Sequence, residues 1–266
     1  MKAKKSYGQH FLNNEVIAAR IADSLLLTAD YGDVIEVGPG QGVLTKYLLD
    51  RLFVLYAVEA DQDMVAHLKV HYPNLEPRLV HKDFLKLQLE ELVGNRPFAI
   101  IGNFPYNISS QIVFKMLDYK AQVPELVGMF QKEMAERVVA PPGGKDYGVI
   151  SALVQAFYEG KLLFSVKAGH FNPPPKVTSA VIRLTRKENQ ELGCDPKLYT
   201  KVVKQAFSQR RKMLRNTMKS FLGDHAMLKE AFFELRPERL GVSEFVNLTN
   251  RISNELEEQK LIQNQH

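Results

Sequence analysis

The chain has 266 residues, 45% of them hydrophobic and 24% charged, with a formal charge of +5, a balance that excludes extended disorder and a length that accommodates one large domain plus a small one. A lone cysteine, Cys194, rules out an internal disulfide, no Cys/His pairing has the spacing of a structural zinc site, and no apolar run reaches membrane-spanning length. The expectation is a cytoplasmic protein with no metal and no membrane partner.

The basic start, Met1–Ser6, leads into Tyr7-Gly-Gln-His10 rather than an apolar stretch, so it does not read as a secretory signal. The first half then alternates short β-branched runs with helical patterns, the signature of βαβ units and a parallel sheet. Strands are predicted at Asp33–Val37, Phe53–Val58, Pro77–His81, Phe98–Ile101, Glu125–Phe130, Lys161–Val166 and Ala180–Thr185. The first ends in the turn Gly38-Pro-Gly40-Gln-Gly42 ahead of a helical pattern over Val43–Arg51. Glycines there let backbone N–H groups approach a ligand at a helix N-terminus.

The second strand ends in Glu59-Ala-Asp61, which places Glu59 where a carboxylate accepts from both hydroxyls of an adenosine ribose. A nicotinamide enzyme would show both features, so together they point to a nucleotide without choosing one. After the third strand comes His81-Lys-Asp83-Phe84, in which Asp83 is a candidate acceptor for an adenine amino group.

The fourth strand delivers Asn103-Phe-Pro-Tyr106, an instance of the Asn/Asp-x-Pro-Tyr/Phe signature of enzymes that methylate exocyclic amino groups. The residue types suit the chemistry. The lone pair of adenine N6 is delocalised into the ring and has to be redirected before it attacks a sulfonium methyl. Two acceptors facing the amino hydrogens, the Asn103 side-chain oxygen and the Phe104 carbonyl, favour the tetrahedral nitrogen. Pro105 holds the preceding residue extended, and Tyr106 offers a face on which an extruded base stacks.

Farther on, Pro141-Pro-Gly-Gly144 and Phe171-Asn-Pro-Pro-Pro-Lys176 read as loops, and Phe171 is a candidate for the opposite wall of a base clamp. After Arg186 the polar stretch Lys187–Cys194 reads as a linker, followed by a helical pattern to the end. Within Lys197–Phe221, Val203, Phe207, Leu214, Met218 and Phe221 recur at helical spacing, while Lys204, Ser208, Arg211, Arg215 and Lys219 line up on a second, largely basic face. Residues 1–159 hold 16 Lys/Arg against 19 Asp/Glu, and residues 160–266 hold 19 against 11, so the positive charge is concentrated where a polyanion would bind.

Taken in order, several segments resemble one family, the KsgA-type ribosomal RNA adenine N6,N6-dimethyltransferases: Gly8-Gln-His-Phe-Leu-Asn13, Glu36-Val-Gly-Pro-Gly40, Glu59-Ala-Asp61, Asp83, Asn103-Phe-Pro-Tyr-Asn-Ile-Ser109, Gln131-Lys-Glu133, Lys145-Asp-Tyr-Gly148, Phe171-Asn-Pro-Pro-Pro-Lys-Val-Thr-Ser179 and Phe207-Ser-Gln-Arg-Arg-Lys212. The resemblance runs from residue 6 to about 252. It implies an α/β fold: a Rossmann-like seven-stranded class I methyltransferase domain at 1–187, which binds S-adenosylmethionine, and a small all-α C-terminal domain at 188–266. Cofactor contacts are implied at Gln9, His10, Leu12, Gly38, Gly40, Glu59, Asp83, Phe84 and Asn103, with Asn103, Phe104, Pro105, Tyr106 and Phe171 around the target base.

A basic helix with Lys204, Arg210, Arg211, Lys212 and Arg215 is expected to contact RNA phosphates. The implied reaction is dimethylation of two adjacent adenosines near the 3′ end of small-subunit (16S-type) rRNA within the 30S-type particle, by a monomer that takes part in subunit biogenesis. Position 10 departs from the pattern, being His where the family often has Asn. The competing readings are a ribosome-assembly factor for which methylation is secondary and a DNA adenine methyltransferase, the latter lacking any recognisable target-recognition region.

Overall fold

The computed structural model describes Lys4 and residues 8–263; the rest of the basic start Met1–Ser6 lies outside the described residues. In chain order the elements are β1 (Phe11–Leu12), α1 (Glu15–Ala22), β2 (Asp33–Val37), α2 (Thr45–Leu49), β3 (Val54–Glu59), α3 (Gln62–His71), β4 (Leu79–His81), α4 (Glu90–Val93), β5 (Phe98–Asn103), α5 (Ser109–Asp118), β6 (Glu125–Gln131), α6 (Lys132–Val139), α7 (Val149–Phe157), β7 (Tyr158–Val166), β8 (Phe171–Asn172), β9 (Ser179–Arg186), α8 (Pro196–Phe207), α9 (Leu214–Thr217), α10 (Lys219–Leu222) and α11 (Val242–Gln263). Among the described residues no helix is long and apolar enough to cross a membrane.

Seven strands form one sheet in the order β4-β3-β2-β5-β6-β9-β7. The first five are parallel, and β9 runs antiparallel to β6. All seven strands coincide with predicted ones, the largest shift being a start at Tyr158 instead of Lys161. Their signal was strong because β-branched runs buried on both faces read as continuous apolar stretches, and β2 is buried at all five positions. The parallel register brings the ends of β2, β3, β4 and β5 to one edge, and strand order reverses between β2 and β5. That reversal opens a crevice at the carboxyl ends of the two strands.

Contacts divide the chain into two compact units, 1–136 with 159–186, and 137–158 with 187–266. The division differs from the linear boundary after residue 187 because α7 goes with the C-terminal segment. Seven of its residues are buried, more than one face can satisfy, and Tyr199 on α8 donates to the Ala152 carbonyl at 3.2 Å. Tyr147, Phe207, Phe245 and Tyr199 continue this core as a chain of rings 6.0–6.3 Å apart.

The single stripe expected over Lys197–Phe221 needs correction. Helix α8 stops at Phe207, residues 208–213 form turns, and two one-turn helices follow. Leu214 and Met218 are fully buried as expected, but by a folded-back chain and not along one helix. Periodicity continued across the break because a helix–turn–helix can bury the same spacing that a straight helix does.

Candidate active site

The crevice holds a cavity of about 490 Å³, the size of a small-molecule site, lined by residues of 8–12, 36–44, 58–60, 81–84 and 103–108. Of the residues expected to contact a cofactor, Gln9, His10, Leu12, Gly38, Gly40, Glu59, Asp83, Phe84 and Asn103 all border it. Gly38 and Gly40 take φ of +67° and +56°, a region that side chains avoid, and a Cβ on Gly40 would come within 3.0 Å of the Phe11 ring. Any larger residue at either position would be strained.

Glu59, at the end of β3, accepts from the Gly40 N–H at 3.0 Å with one carboxylate oxygen and from the Asp61 N–H at 2.9 Å with the other. Burial raises its pKa, with the Asp61, Gly40 and Ala60 N–H groups opposing the rise. Each oxygen keeps a lone pair for a vicinal hydroxyl pair. Deeper in the wall, Glu36 is fully buried and pushed up to about 8, burial being the main cause and its bond from the Thr45 hydroxyl at 2.7 Å acting against it. This donor set and the glycine cradle fit the adenosine portion of S-adenosylmethionine.

On the far side Asp83 receives the Leu85 N–H at 2.9 Å with one oxygen, beside the buried ring of Phe84. Gln9 borders the cavity but both ends of its amide are engaged elsewhere. Its nitrogen donates to Asp61 at 2.9 Å and its oxygen accepts from the Lys4 N–H at 2.8 Å. Lys4 also pairs with Asp61 at 2.6 Å. Although burial alone would raise the Asp61 carboxyl, these bonds hold it below its ordinary value. Gln9 is thus part of a latch that fastens the N-terminal segment beside Glu59, a role its sequence context did not reveal.

The catalytic candidate is the turn after β5. Asn103 donates its side-chain N–H to the His10 carbonyl at 3.0 Å, which leaves Oδ1 without a donor among the described residues. The Phe104 N–H binds the Met129 carbonyl at 3.2 Å, continuing the β5–β6 ladder one residue past the strand. Its ring lies buried against Phe130, edge to face at 5.2 Å. Gly102 and Gly128 are register partners on β5 and β6, and a Cβ on Gly128 would sit 2.2 Å from that ring. Two strand glycines therefore clear the slot that receives Phe104. With the side chain anchored below and Pro105 holding the backbone extended, the Phe104 carbonyl accepts no hydrogen bond from the described residues.

Tyr106 is fixed at its far end, its hydroxyl lying 2.5 Å from the buried Ser179 hydroxyl, and burial raises its pKa. The His10 ring stacks on it, centroids 5.2 Å apart at 28°, and His10 Nδ1 bonds the Pro173 carbonyl at 2.8 Å. Phe171 is not brought to the cavity. Its ring is 3% exposed, inside the core cluster with Leu12, Ile21 and Val181, and its strand β8 pairs with β1 so that Leu12 faces Phe171. A phenylalanine beside a proline-rich loop reads equally well as wall or core, and the β1–β8 pairing, between strands 160 residues apart, turned it inward.

In the second unit Lys204 is exposed on α8 and Arg210, Arg211 and Lys212 are exposed in the 208–213 turns, so the expected basic helix is not one helix. Arg210 donates to the Lys145 carbonyl, and Arg215 on α9 lies 3.5 Å from the Glu234 carboxylate. Ser179 and the Gly102–Gly128 pair were missed because each acts only through a neighbouring strand.

The family model for ribosomal RNA adenine dimethylase matches residues 1–258. The ribosomal RNA small subunit methyltransferase A of Bacteroides fragilis is 51% identical over 257 residues, 96% of this chain and 94% of that protein. The protein of the same name from Flavobacterium johnsoniae is also 51% identical, over 95% of this chain and 96% of its own. A crystal structure of a dimethyladenosine transferase from Plasmodium falciparum superposes with a TM-score of 0.75 at 24% identity, over 92% of this chain and 98% of that one, a likeness of fold.

Proposed function

The chain belongs to the ribosomal RNA adenine dimethylase family and is an S-adenosylmethionine-dependent rRNA adenine dimethyltransferase, and from that premise we propose how its residues divide the work. The observation that carries the assignment is the state of Asn103: one end of its amide is tied to the His10 backbone, and the other presents an acceptor that no donor among the described residues engages, at the cavity where β2 and β5 diverge.

Gly38, Gly40, Glu59, Asp83 and Phe84, which line the cavity, would hold the cofactor, Glu59 through the ribose hydroxyls and Asp83 through the adenine amino group. S-adenosylmethionine supplies an electrophilic methyl on a sulfonium. Asn103 Oδ1 and the Phe104 carbonyl would accept from the target amino group and draw its lone pair out of the ring, toward the methyl that the bound cofactor would supply. The methylated nitrogen then loses its proton to water, and no strong base is required of the chain. The second round uses the same acceptors with one hydrogen remaining.

Tyr106 stacks the extruded base. His10 has to leave its face first, because a 5.2 Å separation is less than the roughly 7 Å, two contact distances of about 3.5 Å, that a ring stacked between two others needs. With Phe171 buried, His10 is the ring that faces Tyr106.

The units 1–136 with 159–186 and 137–158 with 187–266 act as the cofactor-binding catalytic part and an RNA-contacting helical part, with Lys204, Arg210, Arg211, Lys212 and Arg215 on phosphates. The substrate is two adjacent adenosines near the 3′ end of small-subunit rRNA in the 30S-type particle. The enzyme acts as a cytoplasmic monomer during subunit biogenesis. Incubation with labelled S-adenosylmethionine and unmethylated small subunits, followed by nucleoside analysis, tests this. The expected product is N6,N6-dimethyladenosine at neighbouring positions, and label in cytosine or in protein refutes the assignment.

A further inference from the structure

Lys115 belongs to neither the cavity wall nor the catalytic turn, yet it reaches the loop that carries Asp83. It lies on α5, the helix that starts at Ser109 three residues after Tyr106. Its ammonium donates to the Leu85 carbonyl at 3.1 Å and to the Leu87 carbonyl at 2.5 Å, and lies 5.3 Å from the centre of the Phe84 ring. Phe84 lines the cofactor cavity, and the Asp83 carbonyl accepts from the Lys86 and Leu87 N–H groups at 3.0 and 3.2 Å. The loop is thus a tight turn whose outward carbonyls converge on one side chain from another element.

A half-buried ammonium is costly unless its donors are met, and here main-chain carbonyls meet them. Burial lowers the Lys115 pKa, while Asp118, Asp83 and Glu90 act in the opposite direction. An aliphatic side chain at this position would fill the same space and leave two carbonyls to water. The placement therefore suits a strut more than a packing residue.

We infer that Lys115 is a positioning residue for cofactor binding: it braces the Asp83–Phe84 wall from the helix that the catalytic turn begins. The methyl donor's adenine pocket and the grip on the target amine then share one rigid support. This rests on the reading of Asp83 and Phe84 as that pocket's wall.

The full-length protein is titrated calorimetrically with S-adenosylhomocysteine, alongside thermal unfolding and steady-state kinetics on small subunits. Lys115→Met is expected to weaken S-adenosylhomocysteine binding about tenfold and raise the KM for S-adenosylmethionine by a similar factor, with kcat changing far less. Lys115→Gln, which keeps a donor for one carbonyl, loses about threefold and decides the matter if Lys115→Met does not fold. A lower melting temperature with unchanged S-adenosylhomocysteine affinity in either variant overturns the inference. Asp83→Ala separates the two levels. If it binds S-adenosylhomocysteine as tightly as the wild type, the wall reading itself fails; if it weakens binding and the Lys115 variants do not, only the strut fails.

Discussion

The turn at Asn103–Tyr106, proposed to be catalytic, and the basic turn at 208–213, proposed to contact RNA, are opposite solutions to holding side chains in a loop. In the first, every part is tied down: Asn103 to the His10 backbone, Phe104 into a slot between two strands, Tyr106 to Ser179. In the second, Arg211 and Lys212 stand exposed, and Arg210 reaches the Lys145 carbonyl. The difference suits the tasks we propose for them. Redirecting a lone pair needs acceptors placed within a few tenths of an ångström, because the stabilisation is directional. Attraction to phosphate falls off slowly with distance and tolerates a mobile side chain.

The comparison is broken most directly by Asn103→Ala. Removing one of two acceptors is expected to lower kcat by about 10²–10³, or roughly 3–4 kcal/mol, a far larger factor than any loss of S-adenosylhomocysteine affinity from the cavity wall that Asn103 also helps form. A kcat within fivefold of wild type would mean that the turn is not the catalytic centre.

The buried carboxyl behind the glycine turn gives the next effect. Glu36 titrates near 8 in the folded protein against 4.5 as an ordinary carboxyl, so the folded state holds a proton that the unfolded state has lost between those values. Stability therefore falls as pH rises through that window, and levels off above it, by on the order of 2–4 kcal/mol between pH 5 and 8. Chemical denaturation across pH should show this slope in the wild type and a flatter profile in Glu36→Gln. An equally steep profile in that variant would assign the slope to other groups.

Gly128→Ala sharpens the contrast from the supporting side. Its Cβ would meet the Phe104 ring, which has to shift, costing about 1–3 kcal/mol of stability and moving the Phe104 carbonyl enough to lower kcat. A variant that loses stability but keeps its kcat would show that Phe104 packs without aiming anything.

The smallest effects belong to the basic turn. Arg211→Ala and Lys212→Ala are each expected to raise the KM for small subunits two- to fourfold and to reduce the salt slope of RNA binding by about 0.7, leaving the melting temperature within a degree or two. An unchanged salt slope would remove these residues from the RNA surface.

The sequence by itself determined the seven strands, the glycine turn, the positions of Glu59 at the end of β3 and Asp83 just past β4, and the turn Asn103–Tyr106 after β5. Each is a local pattern: β-branched runs commit a segment to the sheet, and Gly or Pro marks where it must turn, whatever lies elsewhere in the chain. Tertiary structure alone decided that Phe171 points into the core, that Gln9 latches onto Asp61, that α7 joins the C-terminal unit, that the chain breaks after Phe207, and that Gly102 and Gly128 open one slot together. In every one of these a residue's role is set by a partner far along the chain, and side-chain type and spacing carry no record of which partner the fold will supply.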